Sequence, residues 1–170
     1  PLIGRSLSGR NFGIIGCGAI GKDLVKLLQP FDCKIYVNDI KNYDEFYELY
    51  NIKKLSLENL LAECEIISIH VPLDSSTKNL LDFEKLERIK KDSIIINFAR
   101  GGIVDEDALK VMLKKRKIYA AAFDVFKTEP TSDNELINLE NFYATPHIGG
   151  SSEEGILAMG RSAIKGLLID

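Results

Sequence analysis

Histidine and cysteine are scarce in this chain, basic charge is not in excess, and long apolar runs are missing. Each absence removes a class of function. The two histidines, His70 and His147, lie far apart, and no CxxC spacing is present, so no metal-ligand pattern emerges and no metal is expected. The three cysteines, Cys17, Cys33 and Cys64, are odd in number. They read as small buried residues of a protein in a reducing, cytoplasmic compartment rather than as a disulfide framework. A net charge of −3 argues against a general nucleic-acid-binding surface. No apolar run is long enough to span a bilayer, so no membrane partner is expected. No basic-then-apolar leader opens the chain, although it starts at Pro1 rather than Met, which leaves a processed start open. Internal repeats and low-complexity segments are also missing.

What is present is an ordinary globular composition, 45% apolar and 28% charged over 170 residues, enough for one domain with its own core. Strand-like apolar runs alternate with helical patterns. Strands are expected at 12–15, 34–38, 53–55, 65–70, 93–98, 119–125 and 142–144. Helices are expected from Ile20 to Leu28, over 43–50, from the Ser56 cap to Glu63, over 83–89, after the Asp105 cap, and from Ser151, which stands at capping-box spacing from Glu154. Glu106 and Asp107 suit the start of the helix after Asp105, and the run from Lys114 to Lys117 suits its end. The longest irregular stretch, 127–141, has the length of a functional loop. Continuous apolar strands alternating with helices predict an α/β fold: a Rossmann-type, doubly wound, mostly parallel sheet with helices on both faces. The apolar side of the last helix (Leu157, Ile164, Leu168) is expected to join the core, with a contact between copies as the alternative.

The chemistry begins at Gly16-Cys17-Gly18-Ala19-Ile20-Gly21, between the first strand and the first helix. Here Gly16 permits a tight turn, Gly18 lets backbone approach a pyrophosphate, and Gly21 lets helix and strand pack closely. The helix N–H groups then face the anion. Asp39 ends the second strand, where a carboxylate accepts hydrogen bonds from ribose hydroxyls and repels the extra phosphate of NADP. This favours NAD. S-adenosylmethionine-dependent methyltransferases also combine glycines with a strand-end acid, but the three-glycine spacing and a second site in the other half of the chain argue against that class.

That second site starts with Phe98-Ala99-Arg100-Gly101-Gly102 at the carboxyl end of a buried strand. The planar fork of Arg100 matches a carboxylate, while pairing with a loop acid is the plain alternative. His147, flanked by Pro146 and Gly149, is placed for proton transfer near neutral pH. Glu129 on the long loop could accept a hydrogen bond from one ring nitrogen and fix its tautomer. Taken alone, a loop histidine is more often inert than catalytic. His70, before Val71-Pro72, reads as structural or cofactor-lining.

Taken in order, the stretch 16–21, Asp39, His70-Val71-Pro72-Leu73 with Thr77, the stretch 97–101, Asp124-Val125-Phe126, Glu129-Pro130 and 145–150 resemble the cofactor domain of the D-isomer-specific 2-hydroxyacid dehydrogenases. The stretch 145–154 is similar to the D-3-phosphoglycerate dehydrogenase branch. The resemblance implies that Arg100 holds the carboxylate and carbonyl oxygen of a 2-hydroxyacid or 2-oxoacid substrate. It implies that His147 exchanges the hydroxyl proton and that Glu129 supports it. On the cofactor side, Ala19 and Ile20 would meet the pyrophosphate through backbone N–H groups. Val71, Pro72 and Thr77 would line the adenosine side. Asp124 would bind the nicotinamide carboxamide near Phe98, Ala99 and Gly150. Ala19 replaces a basic residue common in the family.

The resemblance further implies that residues 1–170 are one lobe, the NAD-binding domain, with both parts of the substrate lobe missing. Such a lobe is expected to bind NAD but to turn over little or nothing alone, and the full-length enzyme to be a homo-oligomer. A glyoxylate/hydroxypyruvate or D-lactate-type reductase, and an NAD-sensing corepressor-like protein, are the alternatives to a phosphoglycerate enzyme of serine biosynthesis.

Overall fold

A computed structural model describes residues 4–131 and 134–167. Seven strands form one sheet: β1 (Asn11–Ile15), β2 (Lys34–Asn38), β3 (Lys53–Lys54), β4 (Ile66–Ile69), β5 (Ile94–Asn97), β6 (Ala120–Phe123) and β7 (Phe142–Ala144). Every pairing is parallel, in the order β3-β2-β1-β4-β5-β6-β7. The helices are α1 (Ala19–Leu28), α2 (Asp44–Leu49), α3 (Leu57–Glu63), α4 (Phe83–Arg88), α5 (Glu106–Lys114) and α6 (Glu153–Leu167). The Rossmann-type reading therefore holds, and the sheet is fully parallel. Order reverses between β1 and β4, the switch point at which such sheets bind ligands beyond their carboxyl ends.

Strand alternation divides the core. Phe12 and Ile14 of β1 join Val25, Ile35, Val37 and Tyr47 on one face, while Ile15 joins Leu60, Leu61, Ile67, Ile69 and Leu109 on the other. Gly13 keeps β1 and α3 close, since a Cβ there would lie 2.6 Å from Leu60 Cδ2. The caps read from the sequence form: Ser56 and Asp105 accept the N–H groups of Asn59 and Ala108 at 3.2 and 3.0 Å. Asp82 caps α4 in the same way. Each such cap stabilises its helix by about 1 kcal/mol. Inside the long loop, a 3-10 turn over Glu135–Asn138 buries Leu136. Cys17 and Cys64 are buried and Cys33 partly so, all as free thiols.

Two expectations need correction, both at α6. The helix starts at Glu153, and its cap is Ser152, whose Oγ accepts from Gly155 N at 3.0 Å. The spacing of Ser151 and Glu154 therefore makes no capping box. The core does not receive the apolar side either: Leu157 and Ile164 are 58% and 62% exposed, and α6 has no buried residue. Leu168 lies outside the described residues. Amphipathic spacing showed a face to be covered but not what covers it. Among the described residues, no helix is long and apolar enough to cross a membrane, and no group of three or more His, Cys, Asp or Glu could hold a metal ion.

Candidate active site

Every sequence motif with chemical content leaves the carboxyl edge of the sheet. The glycine turn follows β1, Asp39 follows β2, His70 follows β4, Phe98 to Arg100 follow β5, Asp124 follows β6, and Thr145 to His147 follow β7.

The start of α1 differs from those of α3, α4 and α5. Its N-cap is Gly18, with no side chain to cap it, and its first turn holds no acid. The N–H groups of Ala19 and Ile20 are left without a side-chain acceptor, as anion binding requires. The turn is fixed by close contacts. Gly16 has φ +94°, and a Cβ there would lie 2.7 Å from the carbonyl group of His70. A Cβ on Gly21 would lie 2.2 Å from Gly16 O, whereas one on Gly18 would meet nothing within 4 Å. Gly18 thus borders open space, where a ligand can approach the backbone.

Asp39 is oriented by the same turn. Its Oδ2 accepts from Cys17 N at 2.6 Å and its Oδ1 from Lys41 N at 2.7 Å. Each carboxylate oxygen keeps a second acceptor direction. A cavity of about 400 Å³ lies beside it, lined in part by Gly16, Gly18, Asp39, Val71, Pro72 and Thr77. Thr77 also closes its own loop by donating to Pro72 O at 2.6 Å. A second cavity of about 490 Å³ is lined by Ile20, Leu73, Phe98, Ala99 and Arg100, and the two share His70, Val71 and Pro72 as a common wall. An uncapped helix start, a strand-end carboxylate and paired cavities fit a dinucleotide with a small substrate at one end. Burial pushes the His70 imidazole pKa down, and its Nε2 lies 2.8 Å from Ser68 Oγ. This suits a neutral wall residue.

The catalytic candidates sit on loops after β5, β6 and β7. Among the described residues Arg100 forms no ion pair with an acid; its Nη1 donates to Ala99 O at 2.6 Å. Among the described residues, therefore, the loop-acid alternative does not form. His147 Nδ1 lies 2.8 Å from Glu129 Oε2, and Glu129 Oε1 accepts from Phe126 N at 2.8 Å. The His147 bond and then the Phe126 N–H hold the Glu129 carboxyl below its ordinary pKa. Nδ1 is thereby committed, and among the described residues Nε2 has no hydrogen bond. His147 has φ +55°, a left-handed backbone unusual for a residue with a side chain.

Asp124 holds that backbone. It is 2% exposed, its Oδ1 accepts from Thr145 Oγ1 and from Ile148 N at 2.8 Å, and its Oδ2 accepts from Gly149 N at 2.8 Å. Burial pushes its carboxyl up, but the bonds from Thr145, Gly149 and Ile148 outweigh that and leave it below the usual carboxylate pKa. The resemblance assigns Asp124 to the nicotinamide carboxamide; among the described residues, the hydrogen bonds its carboxylate accepts all come from the His147 loop. Phe98 packs against Gly149, where a Cβ would lie 2.9 Å from its ring, while a Cβ on Gly150 would meet nothing within 4 Å. The sequence reading also missed Thr145 as a partner of Asp124. No spacing rule marks a bond between residues 21 apart.

Comparison with known proteins agrees with this fold. Residues 1–149 match the family model "D-isomer specific 2-hydroxyacid dehydrogenase, NAD binding domain". The chain is 43% identical over 156 residues to the D-3-phosphoglycerate dehydrogenase of Haemophilus influenzae, covering 88% of this chain and 37% of that protein. It is 38% identical over 156 residues to the hydroxypyruvate reductase of Thermotoga maritima, covering 90% and 50%. The apo D-mandelate dehydrogenase of Rhodotorula graminis superposes with a TM-score of 0.88 at 31% identity, covering 92% of this chain and 46% of that one. The chain thus spans between about a third and a half of the relatives it matches. By the sequence match and by the fold and glycine turn that accompany it, the chain belongs to the NAD-binding domain family of the D-isomer-specific 2-hydroxyacid dehydrogenases.

Proposed function

We propose that the full-length protein is an NAD-dependent D-2-hydroxyacid dehydrogenase whose substrate pair is 3-phosphoglycerate and its 2-oxoacid. The observation that carries the enzymatic reading is the 2.8 Å Glu129–His147 contact, together with an Nε2 and an Arg100 that, among the described residues, have no hydrogen-bond partner and no acid partner respectively. Bound NAD would supply the hydride acceptor. The chain's own residues do the rest. Arg100 binds the substrate carboxylate and carbonyl oxygen through its fork. His147 Nε2 takes the hydroxyl proton during oxidation and returns it during reduction, while Glu129 keeps Nδ1 as the donor side of the ring. Ala19 and Ile20 N–H groups hold the pyrophosphate, and Asp39 holds the adenosine ribose. The 170 residues alone are expected to bind NAD with little turnover, because substrate positioning by a second wall is needed for attack geometry.

The phosphoglycerate assignment draws on the 43% identity to an enzyme of that name and competes with a hydroxypyruvate reductase reading at 38%. A panel of 2-oxoacids with NADH and the full-length protein separates them. The highest kcat/KM is expected with 3-phosphohydroxypyruvate. A preference for hydroxypyruvate or glyoxylate would overturn the substrate assignment, and reduction of none would overturn the enzymatic reading.

The cofactor choice has its own test. Asp39→Ala removes the carboxylate that repels a 2′-phosphate, so the ratio of NAD to NADP affinity should fall by about tenfold or more, near 1.4 kcal/mol. An unchanged ratio in binding titrations would remove Asp39 from its role.

A further inference from the structure

We infer that Glu106 is a positioning residue for the Glu129–His147 pair, an inference that rests on the proton-transfer role given to that pair above. By sequence Glu106 is merely an acid in the first turn of α5. Its carboxylate, however, spans the long loop. Oε1 accepts from Lys127 N at 2.7 Å, and Oε2 accepts from Asn134 Nδ2 at 2.8 Å. Asn134 Oδ1 in turn accepts from Leu136 N at 3.0 Å, and Leu136 is buried in the core. One half-buried side chain therefore pins both arms of the segment that carries Glu129.

The pinned arm leads directly to the pair. Lys127 follows Phe126, whose N–H donates to Glu129 Oε1 at 2.8 Å, and Glu129 Oε2 meets His147 Nδ1. The Phe126–Lys127 peptide also lies against Gly101, next to Arg100: a Cβ on Gly101 would fall 1.9 Å from Phe126 O. The tether thus holds the peptide on which the Arg100 loop and the Glu129 loop meet. A helix-start acid needs none of these contacts. Asp107, in the same turn, bonds only to Lys110 among the described residues and has a 95% exposed side chain.

The test uses the full-length protein with Glu106→Ala, Glu106→Gln, Asp107→Ala, Glu129→Ala and the double variant Glu106→Ala/Glu129→Ala. Hydrogen exchange at the amides of Phe126 and Lys127 should speed up by about tenfold or more in Glu106→Ala and stay unchanged in Asp107→Ala. With NADH and the best 2-oxoacid, kcat should fall by about 10- to 100-fold in Glu106→Ala, with NADH affinity held within about twofold. The glutamine variant, which keeps an acceptor for Lys127 N–H, should recover most of that loss. In the double variant, Glu106→Ala should add no further loss to that of Glu129→Ala, because it acts through that residue. Unchanged exchange at 126–127, equal loss in Asp107→Ala, no recovery with glutamine, or additive losses in the double variant would each overturn the inference. The exchange result stands without any turnover, so failure of the tether is distinguishable from failure of the enzymatic reading.

Discussion

Replacing His147 by alanine in the full-length protein is expected to lower kcat by about 10²- to 10⁴-fold, the range of a lost general acid–base group. NAD affinity should change by less than about twofold, under roughly 0.5 kcal/mol. The asymmetry follows from position. The ring lies on the loop after β7, whereas the uncapped start of α1 and Asp39 lie after β1 and β2. Nδ1 faces Glu129 at 2.8 Å, so Nε2, which has no hydrogen bond among the described residues, is the ring nitrogen left to exchange a proton. Glu129→Gln should cost less than His147→Ala. The amide oxygen can still serve one of the two N–H groups that Glu129 accepts, but its NH2 faces the other donor. The pH dependence has a defined sign. The Glu129 carboxyl is held below its ordinary pKa by His147 and Phe126. Its support is therefore present above the ordinary glutamate value, about 4.3, and is lost only as pH falls through the lowered one. An acid limb at higher pH in the kcat profile belongs to another group. Equal losses of kcat and NAD affinity in His147→Ala would make the residue structural.

The parts of this site that the sequence disclosed are those made by neighbours in the chain. The turn from Gly16 to Gly21, the caps Ser56 and Asp105, and the strand β2 that Asp39 follows each depend on local backbone geometry, which spacing encodes. The parallel sheet was legible because strands such as Ile66–Ile69 are buried on both faces and so read as unbroken apolar runs. The parts that stayed hidden are bonds between distant residues. Nothing near Glu106 foretells a contact with Lys127, 21 positions later, or with Asn134, 28 later. Nothing near Asp124 shows that its oxygens are taken by Thr145, Ile148 and Gly149. The helix α6 failed for the complementary reason. Its apolar spacing is real, but spacing records a demand for burial and not the surface that meets it, and Ile156, Leu157 and Ile164 remain exposed.

Gly101→Ala is expected to damage stability and turnover together. The added Cβ would fall 1.9 Å from both the carbonyl carbon and oxygen of Phe126 and 2.4 Å from Lys127 N. All three are backbone atoms, so no rotamer change relieves the clash. The opposing peptide cannot move freely either. Phe126 N is bonded to Glu129, Lys127 N is bonded to Glu106, and the Phe126 ring is 5% exposed beside Phe123 and Phe142. Separation of the loops must break one of these bonds or shift Arg100. Overpacking of this kind costs at least about 1–3 kcal/mol, which for a domain of this size lowers Tm by roughly 2–4 °C per kcal/mol. A displacement near 1 Å between Arg100 and His147 should cost about 10²-fold in kcat/KM. Gly102→Ala is the matched control. Its φ of +80° makes alanine unfavourable, yet the added Cβ would meet only Leu73, at 3.9 Å. It should carry the backbone penalty of about 1–2 kcal/mol without separating the loops. Below the Tm of the Gly101 variant, NAD binding should persist, since the glycine turn after β1 is untouched. A Gly101→Ala protein with unaltered Tm and kcat/KM would show that the loops can part without consequence, and that Arg100 and His147 are not held in register by the Gly101–Phe126 crossing.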